Sequence, residues 1–226
     1  MYSLYIANKN YSSWSLRPWI LMMQLGIPFE EKLIPFEENN WDTFRRFSPS
    51  GKVPCLIDQG NIVWDSLSIA EYLAEIHSNV WPKNKQQRSW ARCAAAEMHS
   101  GFSHLREICG MNIGIRISLH EINQRLKSDL ARINELWTEG LTRFGGPFLA
   151  GEEFSAVDAF FAPVIFRVQT FGLELNSKAF AYYQHMLGLQ GMQQWQSMAL
   201  AELFRDPIHD MEVEKYGVID KDLRSI

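Results

Sequence analysis

Tyr2, Leu4 and Ile6 alternate with Ser3, Tyr5 and Ala7, the period of a strand. A polar, turn-prone stretch follows from Asn8 to Ser13. Apolar residues then recur at helical spacing through Leu16, Trp19, Ile20, Met23 and Leu25, and Gly26 with Pro28 predicts the stop. Phe29 to Leu33 predicts a second strand. Pro35 to Gly51 reads as irregular, with a short helix around Trp41 to Phe47. Cys55 to Asp58 and Ile62 to Trp64, separated by Gln59-Gly60-Asn61, predict a hairpin. Asp65-Ser66 opens a helix carrying Leu67, Ala70, Leu73 and Ala74 on one face. The order β-α-β, irregular segment, β-β-α closes by about His77 and predicts a small mixed sheet with helices on its faces.

From Ser78 to Gln87 the chain turns polar and contains Pro82, which reads as a linker. Beyond it the pattern is helical and predicts no strand pair. Helices are expected from Arg88 to about Cys109, from Leu119 to Phe144, from Ser155 onward, and from about Ala179 to Leu203. Gly145-Gly146-Pro147, Gly151 and Gly172 fall between them, as in a helical bundle. The charged tail from Pro207 reads as irregular. Two domains follow, at residues 1–78 and 88–226: a small α/β domain and an all-α helical bundle.

Composition narrows the class. The chain has 226 residues, a length that buries roughly 70–75% of the unfolded surface without disulfides or metal. A net charge of −4 offers no basic field for nucleic acid. No apolar run reaches the roughly 18–20 residues of a membrane helix. The segment MYSLYIANKNYSSWS lacks the basic start and apolar stretch of a secretion signal. Cys55, Cys93 and Cys109 show no metal-type spacing and read as reduced cytoplasmic thiols, with Cys55 packed in a buried strand. His99 and His104 are five apart and share no helix face, so no metal site is expected.

Four short segments carry candidate chemistry. Tyr11-Ser12-Ser13-Trp14-Ser15-Leu16-Arg17 lies between the first strand and the first helix. Free N–H groups there favour an anion, and a serine hydroxyl adds a rotatable donor; the same serines also serve as ordinary helix caps. Arg17 adds positive field or is solvated or paired structurally. Ser50-Gly51-Lys52-Val53-Pro54 precedes a strand; a cis Val53–Pro54 bond would present the Val53 N–H and C=O to a ligand. Asp65-Ser66 either caps a helix or holds a carboxylate and an ammonium together, the head of an amino acid. Ser155 and Asp158 have capping-box spacing and fix a helix start, with Phe154 beside them.

Together, in order, these segments resemble the cytosolic glutathione S-transferase family across essentially the whole chain. The resemblance rests on Ser12-Ser13-Trp14-Ser15-Leu16-Arg17, Lys52-Val53-Pro54, Asp65-Ser66 with Ile69-Ala70-Glu71-Tyr72-Leu73, and Ser155 with Asp158. It implies a thioredoxin-like N-terminal domain, an all-helical C-terminal domain, glutathione between them, and a homodimer. Val53 would pair with the cysteinyl backbone of glutathione ahead of a cis Pro54, with Lys52 near the peptide. Asp65 and Ser66 would hold its γ-glutamyl head. The pattern looks most like the serine-type zeta and related classes, whose leading serine matches Ser12, with Ser13 the close second. Tyr5 and Tyr11 leave a tyrosine-type site open, although strand packing explains Tyr5 better. No cysteine lies between Ser12 and Arg17, which disfavours the cysteine-dependent exchange branch. Trp14, Met98 and Phe102 are the candidates for the electrophile pocket.

The resemblance implies a transferase that activates the glutathione thiol against a small electrophile. A free thiol has a pKa near 8.5, and hydrogen bonding to its thiolate lowers it. Two alternatives remain: a glutathione-dependent cis–trans isomerase of the maleylacetoacetate type, with Arg17 and Arg106 the visible cations, and a non-catalytic binding or interaction protein on the same fold.

Overall fold

The computed structural model describes residues 1–37 and 39–224. β1 (Tyr2–Ile6) is an inner strand of a four-stranded sheet. It pairs in parallel with β2 (Phe29–Leu33), Tyr2 opposite Phe29, and antiparallel with β3 (Cys55–Asp58), Ser3 opposite Ile57. β4 (Asn61–Trp64) completes the order β2-β1-β3-β4. Gln59 and Gly60, at φ 48° and 88°, form the hairpin turn, where two positive φ values match the twist of the paired strands. Leu4, Ile6, Cys55 and Leu56 are fully buried.

α1 (Ser13–Gln24) has nine of its twelve residues buried, because it is covered on more than one side. It packs against α3 (Ser66–Ala74) and against α7 (Ala156–Phe171), where fifteen of sixteen residues are buried. The short α2 (Trp41–Arg45) precedes β3. Ser155 and Asp158 form the capping box of α7, and Phe154 meets the Phe148 ring edge-on at 5.6 Å.

The helical half departs from the sequence pattern at four places. The expected helix from Arg88 to Cys109 is two: α4 (Lys85–Ser100) and α5 (Ser103–Ile108), broken at Gly101 and Phe102, whose φ is 58°. α4 therefore begins inside the stretch read as linker. Residues 115–119, partly assigned to the next helix, form β5 (Ile115–Leu119); α6 (Gln124–Phe144) starts later. α8 (Ser177–Leu187) and α9 (Gln190–Ala201) replace one long helix, interrupted at Gly188-Leu189. The tail is ordered into α10 (Pro207–Glu214) and β6 (Gly217–Asp222), and β6 pairs antiparallel with β5. A two-stranded sheet thus exists where none was expected. Among the described residues, no helix is long and apolar enough to cross a membrane.

α9 reaches back to α1 through Trp195 and Trp19, whose rings meet edge-on at 5.0 Å. Trp195 Nε1 donates to the Lys9 carbonyl at 3.0 Å. Both tryptophans are buried, and aromatic pairs of this geometry add to area burial. This packing holds the loop before α1 against the helical half.

Candidate active site

Two cavities share the walls Trp14, Lys52 and Val53. The first, about 400 Å³, continues over Ser50, Pro54, Trp64, Asp65 and Ser66. The second, about 380 Å³, is lined by Tyr11, Ser12, Ser13, Phe36 and Phe44 on one side. Its other side is formed by Arg106, Met111, Arg167 and His209, with Glu212.

In the first cavity, Val53–Pro54 is cis, and neither the N–H nor the C=O of Val53 is bonded within the described residues. Asp65 caps α3 from a left-handed φ of 72°, and its Oδ1 accepts from the Leu67 N–H at 2.8 Å. Its side chain remains 46% exposed, so its other oxygen is open to a ligand. Ser66 is buried, with its hydroxyl at the positive end of α3.

Arg17 lies behind this end. Its Nη1 donates to Ser66 Oγ at 3.4 Å, and Nη1 and His99 Nδ1 are 3.5 Å apart. Because the guanidinium only donates, His99 Nδ1 accepts, and the opposite ring N–H faces Asp65, with Nε2 3.5 Å from Oδ1. Burial, then Asp65, Arg17 and Arg106, act on His99, and the net effect lowers its pKa. The Trp14 ring lies within cation–π distance of both Arg17, at 4.2 Å, and Arg106, at 4.8 Å. Arg17 is neither solvated nor matched by a carboxylate: aromatic rings, a hydroxyl and an imidazole surround it. Burial, then repulsion from Arg106 and Arg167, pulls its pKa well down.

The two candidate serines differ in their bonding. Ser12 Oγ donates to Ser15 Oγ at 2.7 Å, and Ser15 Oγ also accepts from the Ala7 N–H at 3.2 Å. Ser13 is the first residue of α1, and its hydroxyl has no partner among the described residues. Tyr11 is committed elsewhere. Its hydroxyl donates to Asp210 at 3.2 Å and accepts from Arg224 at 3.1 Å and from the Asp206 N–H at 3.3 Å. Burial raises its pKa and outweighs the hydrogen bond from the Asp206 N–H, which lowers it; Asp210 adds a smaller upward push. Tyr5 stacks on Phe47 at 4.3 Å.

Ser12, Ser13, Lys52, Val53, Pro54, Asp65, Ser66 and Trp14 come together in this cleft. Met98 and Phe102 do not: both are buried in the core and line neither cavity. The break at Gly101 turns the chain so that Arg106 faces the cavity instead. Its Nε donates to the Gly101 carbonyl at 2.9 Å, and its Nη2 to that of Met98. Sequence reasoning missed Arg167 and His209, and it gave Ser15 no role of its own beside Ser12. Arg167 did leave a signal, as the single cation of the apolar run from Ala156 to Phe171. Among the described residues, no group of three or more His, Cys, Asp or Glu could hold a metal ion.

Residues 11–76 match the profile described as glutathione S-transferase, N-terminal domain, and residues 116–185 match glutathione S-transferase, C-terminal domain. A probable maleylacetoacetate isomerase of Caenorhabditis elegans is 25% identical over 183 residues, 76% of this chain and 81% of the relative. Glutathione S-transferase unclassified 2 from Bombyx mori superposes with a TM-score of 0.71 at 21% identity, covering 96% of this chain and 99% of that one. A glutathione transferase homolog from Burkholderia GL BGR1, solved with bound glutathione, gives a TM-score of 0.67 at 19% identity, covering 88% and 97%. The fold is a thioredoxin-like mixed-sheet domain followed by a helical domain, and the chain belongs to the glutathione S-transferase family.

Proposed function

We propose that the chain is a glutathione transferase of the serine type. The observation that carries this reading is the junction of the two cavities at Trp14, Lys52 and Val53, with Ser12 and Ser13 just beyond it. Glutathione occupies the first cavity, as its bound form in the Burkholderia relative supports. The γ-glutamyl carboxylate sits at Ser66 and the start of α3, backed by Arg17, and the ammonium sits at Asp65. Val53 bonds the cysteinyl backbone, and Lys52 lies near the peptide. The sulfur then points past Val53 toward the serines. Ser13 has a hydroxyl to give; Ser12 gives its own when Ser15 donates to it in turn. Either stabilises the thiolate as a donor, not as a base.

The thiolate attacks an electrophilic carbon in the second cavity. Where a leaving group is present it departs with the bonding electrons; where the carbon is part of a conjugated double bond, the adduct takes a proton from water. The domain limits of 1–78 and 88–226 belong to this reading. So does a cytoplasmic homodimer, supported by three free thiols, which suit a reducing compartment, and by exposed apolar Ile62 and Ile76.

Arg106 and Arg167 favour a second reading, a glutathione-dependent isomerase. There the thiolate adds to a conjugated acid, the former double bond rotates, and the thiolate leaves again, so glutathione is regenerated. Calorimetric titration with glutathione tests both. Saturable binding in the native chain, weakened at least about tenfold in Asp65→Ala, supports the site; hydrogen bonds to charged groups have this magnitude. Absence of binding contradicts it. Glutathione consumed in step with product separates the transferase from the isomerase.

A further inference from the structure

We infer that His209 is a catalytic residue of the second cavity: oriented by Asp206, it takes the proton of the glutathione thiol and hands it to the electrophile when sulfur adds to a double bond. The inference rests on the transferase reading and puts a side chain where that reading has water.

His209 stands in the first turn of α10, lines the second cavity and is 34% exposed. Its Nδ1 lies 2.7 Å from Asp206 Oδ2. A carboxylate only accepts, so Nδ1 carries the hydrogen and Nε2 keeps its lone pair. Nε2 makes no hydrogen bond among the described residues. Asp206 is itself fixed. It is buried, caps α10 by accepting from the Ile208 N–H at 3.0 Å, and donates its own N–H to the Tyr11 hydroxyl at 3.3 Å. The imidazole lies against the Tyr11 ring, centroids 5.2 Å apart, and the Phe36 ring, 5.1 Å apart. Asp206 is outside the cavity wall, so the ring edge that bears Nε2 is the one left to face the cavity. Tyr11 directly precedes Ser12 and Ser13, so this edge joins the wall toward which the sulfur points.

A buried acid behind an imidazole, with the far nitrogen free, is the arrangement of a general base that then acts as a general acid. The other walls do not offer this. The Tyr11 hydroxyl is spent on Asp210 and Arg224, and burial holds its proton. Arg106 and Arg167 are guanidiniums, which keep their protons at neutral pH; Glu212 and Lys52 are exposed and hydrated. An imidazole gains and loses a proton in that range.

The cycle balances. The thiol proton passes through water to Nε2, and Asp206 holds the imidazolium. The thiolate bonds to the β-carbon of a conjugated ketone, and the π pair moves onto the α-carbon and carbonyl as an enolate. The Nε2–H bond breaks as the α-carbon takes the proton, and His209 returns neutral. No group leaves, and nothing is oxidised or reduced.

The test gives the full chain glutathione and two probes. Benzylideneacetone reacts by addition and needs the carbon protonated; chlorodinitrobenzene reacts by loss of chloride and does not. His209→Asn keeps an amide N–H where Nδ1 stood, so the bond to Asp206 and the start of α10 remain, but nothing stands at Nε2. The kcat ratio of addition to displacement is expected to fall about a hundredfold, within the range of acid–base contributions. Dissolved imidazole restores addition in His209→Ala, which a merely structural role would not allow. Nitrogen NMR of the native chain is expected to show the hydrogen on Nδ1 and a bare Nε2, in the signal that His209→Asn removes. An unchanged kcat ratio, or a hydrogen on Nε2 in place of Nδ1, overturns the proposal and leaves the transferase reading standing. A native chain that converts neither probe contradicts the transferase reading, and the proposal falls with it.

Discussion

Arg17 Nη1 donates to Ser66 Oγ across 3.4 Å, so a cation from the first helix underlies the N-terminus of α3. A helix N-terminus carries roughly half a positive charge. Arg17 adds a full one, 1% exposed and opposed by no direct carboxylate partner among the described residues. The site is thus arranged for an anion before any ligand arrives.

Arg17→Met is expected to raise the dissociation constant of glutathione about tenfold, the scale of a lost charged interaction. The melting temperature should stay level or rise, since replacing an unpaired buried charge by an apolar chain relieves desolvation. Calorimetry and thermal unfolding on one preparation check both. Unchanged glutathione affinity contradicts the role given to Arg17.

The tail forms part of the wall of the second cavity, proposed for the electrophile, and is tied down by Arg224. Its Nη1 reaches both Asp210 oxygens, at 2.7 and 2.9 Å, and Tyr11 Oη at 3.1 Å. The same helix brings His209 and Glu212 to the cavity wall. Arg224→Ala should therefore raise KM for the electrophile several-fold and leave KM for glutathione nearly unchanged. Steady-state kinetics with each substrate varied decides it; equal rises in both would show a general loosening instead.

Asp158 is fully buried and serves two elements beyond its own cap. Its carboxylate accepts from the Leu149 N–H at 2.9 Å, the Ser155 N–H at 3.0 Å and the Tyr182 hydroxyl at 3.1 Å. Asp158→Ala orphans all three donors and should cost about 3 kcal/mol or more, at roughly 1–3 kcal/mol per unsatisfied buried group. Denaturant unfolding measures this. A loss below about 1 kcal/mol, within the range of an ordinary surface cap, would contradict the network's importance.

The three thiols differ in burial. Burial is the main cause that pushes Cys55 up to about 11 and Cys109 up to about 12, while Cys93 is exposed. The two buried groups hold their protons at pH 8, and the thiolate is the reactive form. A disulfide reagent should titrate one thiol in the native chain at pH 8 and three after unfolding. Rapid reaction of a second thiol would show that one buried cysteine is accessible.

The sheet and its helices were legible because their signals are local: alternation in Tyr2–Ile6, Gln59-Gly60 at the hairpin, Asp65-Ser66 at a helix start. β5 and β6 were not, since Ile115 pairs with Asp222 across more than a hundred residues. The alternation of Ile115, Ile117 and Leu119 with Arg116 and Ser118 was present, but its partner strand, GVIDKD, has no such pattern. The residues proposed for glutathione lie in short contiguous segments and could be named in advance. The opposite cavity wall draws single residues from α5, α7 and α10, so no segment spells it. The resemblance had pointed to Met98 and Phe102, because the family builds this pocket in part from the first long helix of the second domain; both side chains are instead spent on the core.

A serine hydroxyl in this cleft is expected to lower the pKa of the glutathione thiol. Ultraviolet absorbance of the thiolate, followed against pH in the native complex and in Ser12→Ala and Ser13→Ala, measures this. An apparent pKa clearly below the free value near 8.5, returned toward that value by one of the two substitutions, is the predicted result. Glutathione that binds with an unshifted thiol, or a depressed pKa that survives both substitutions together, would contradict it.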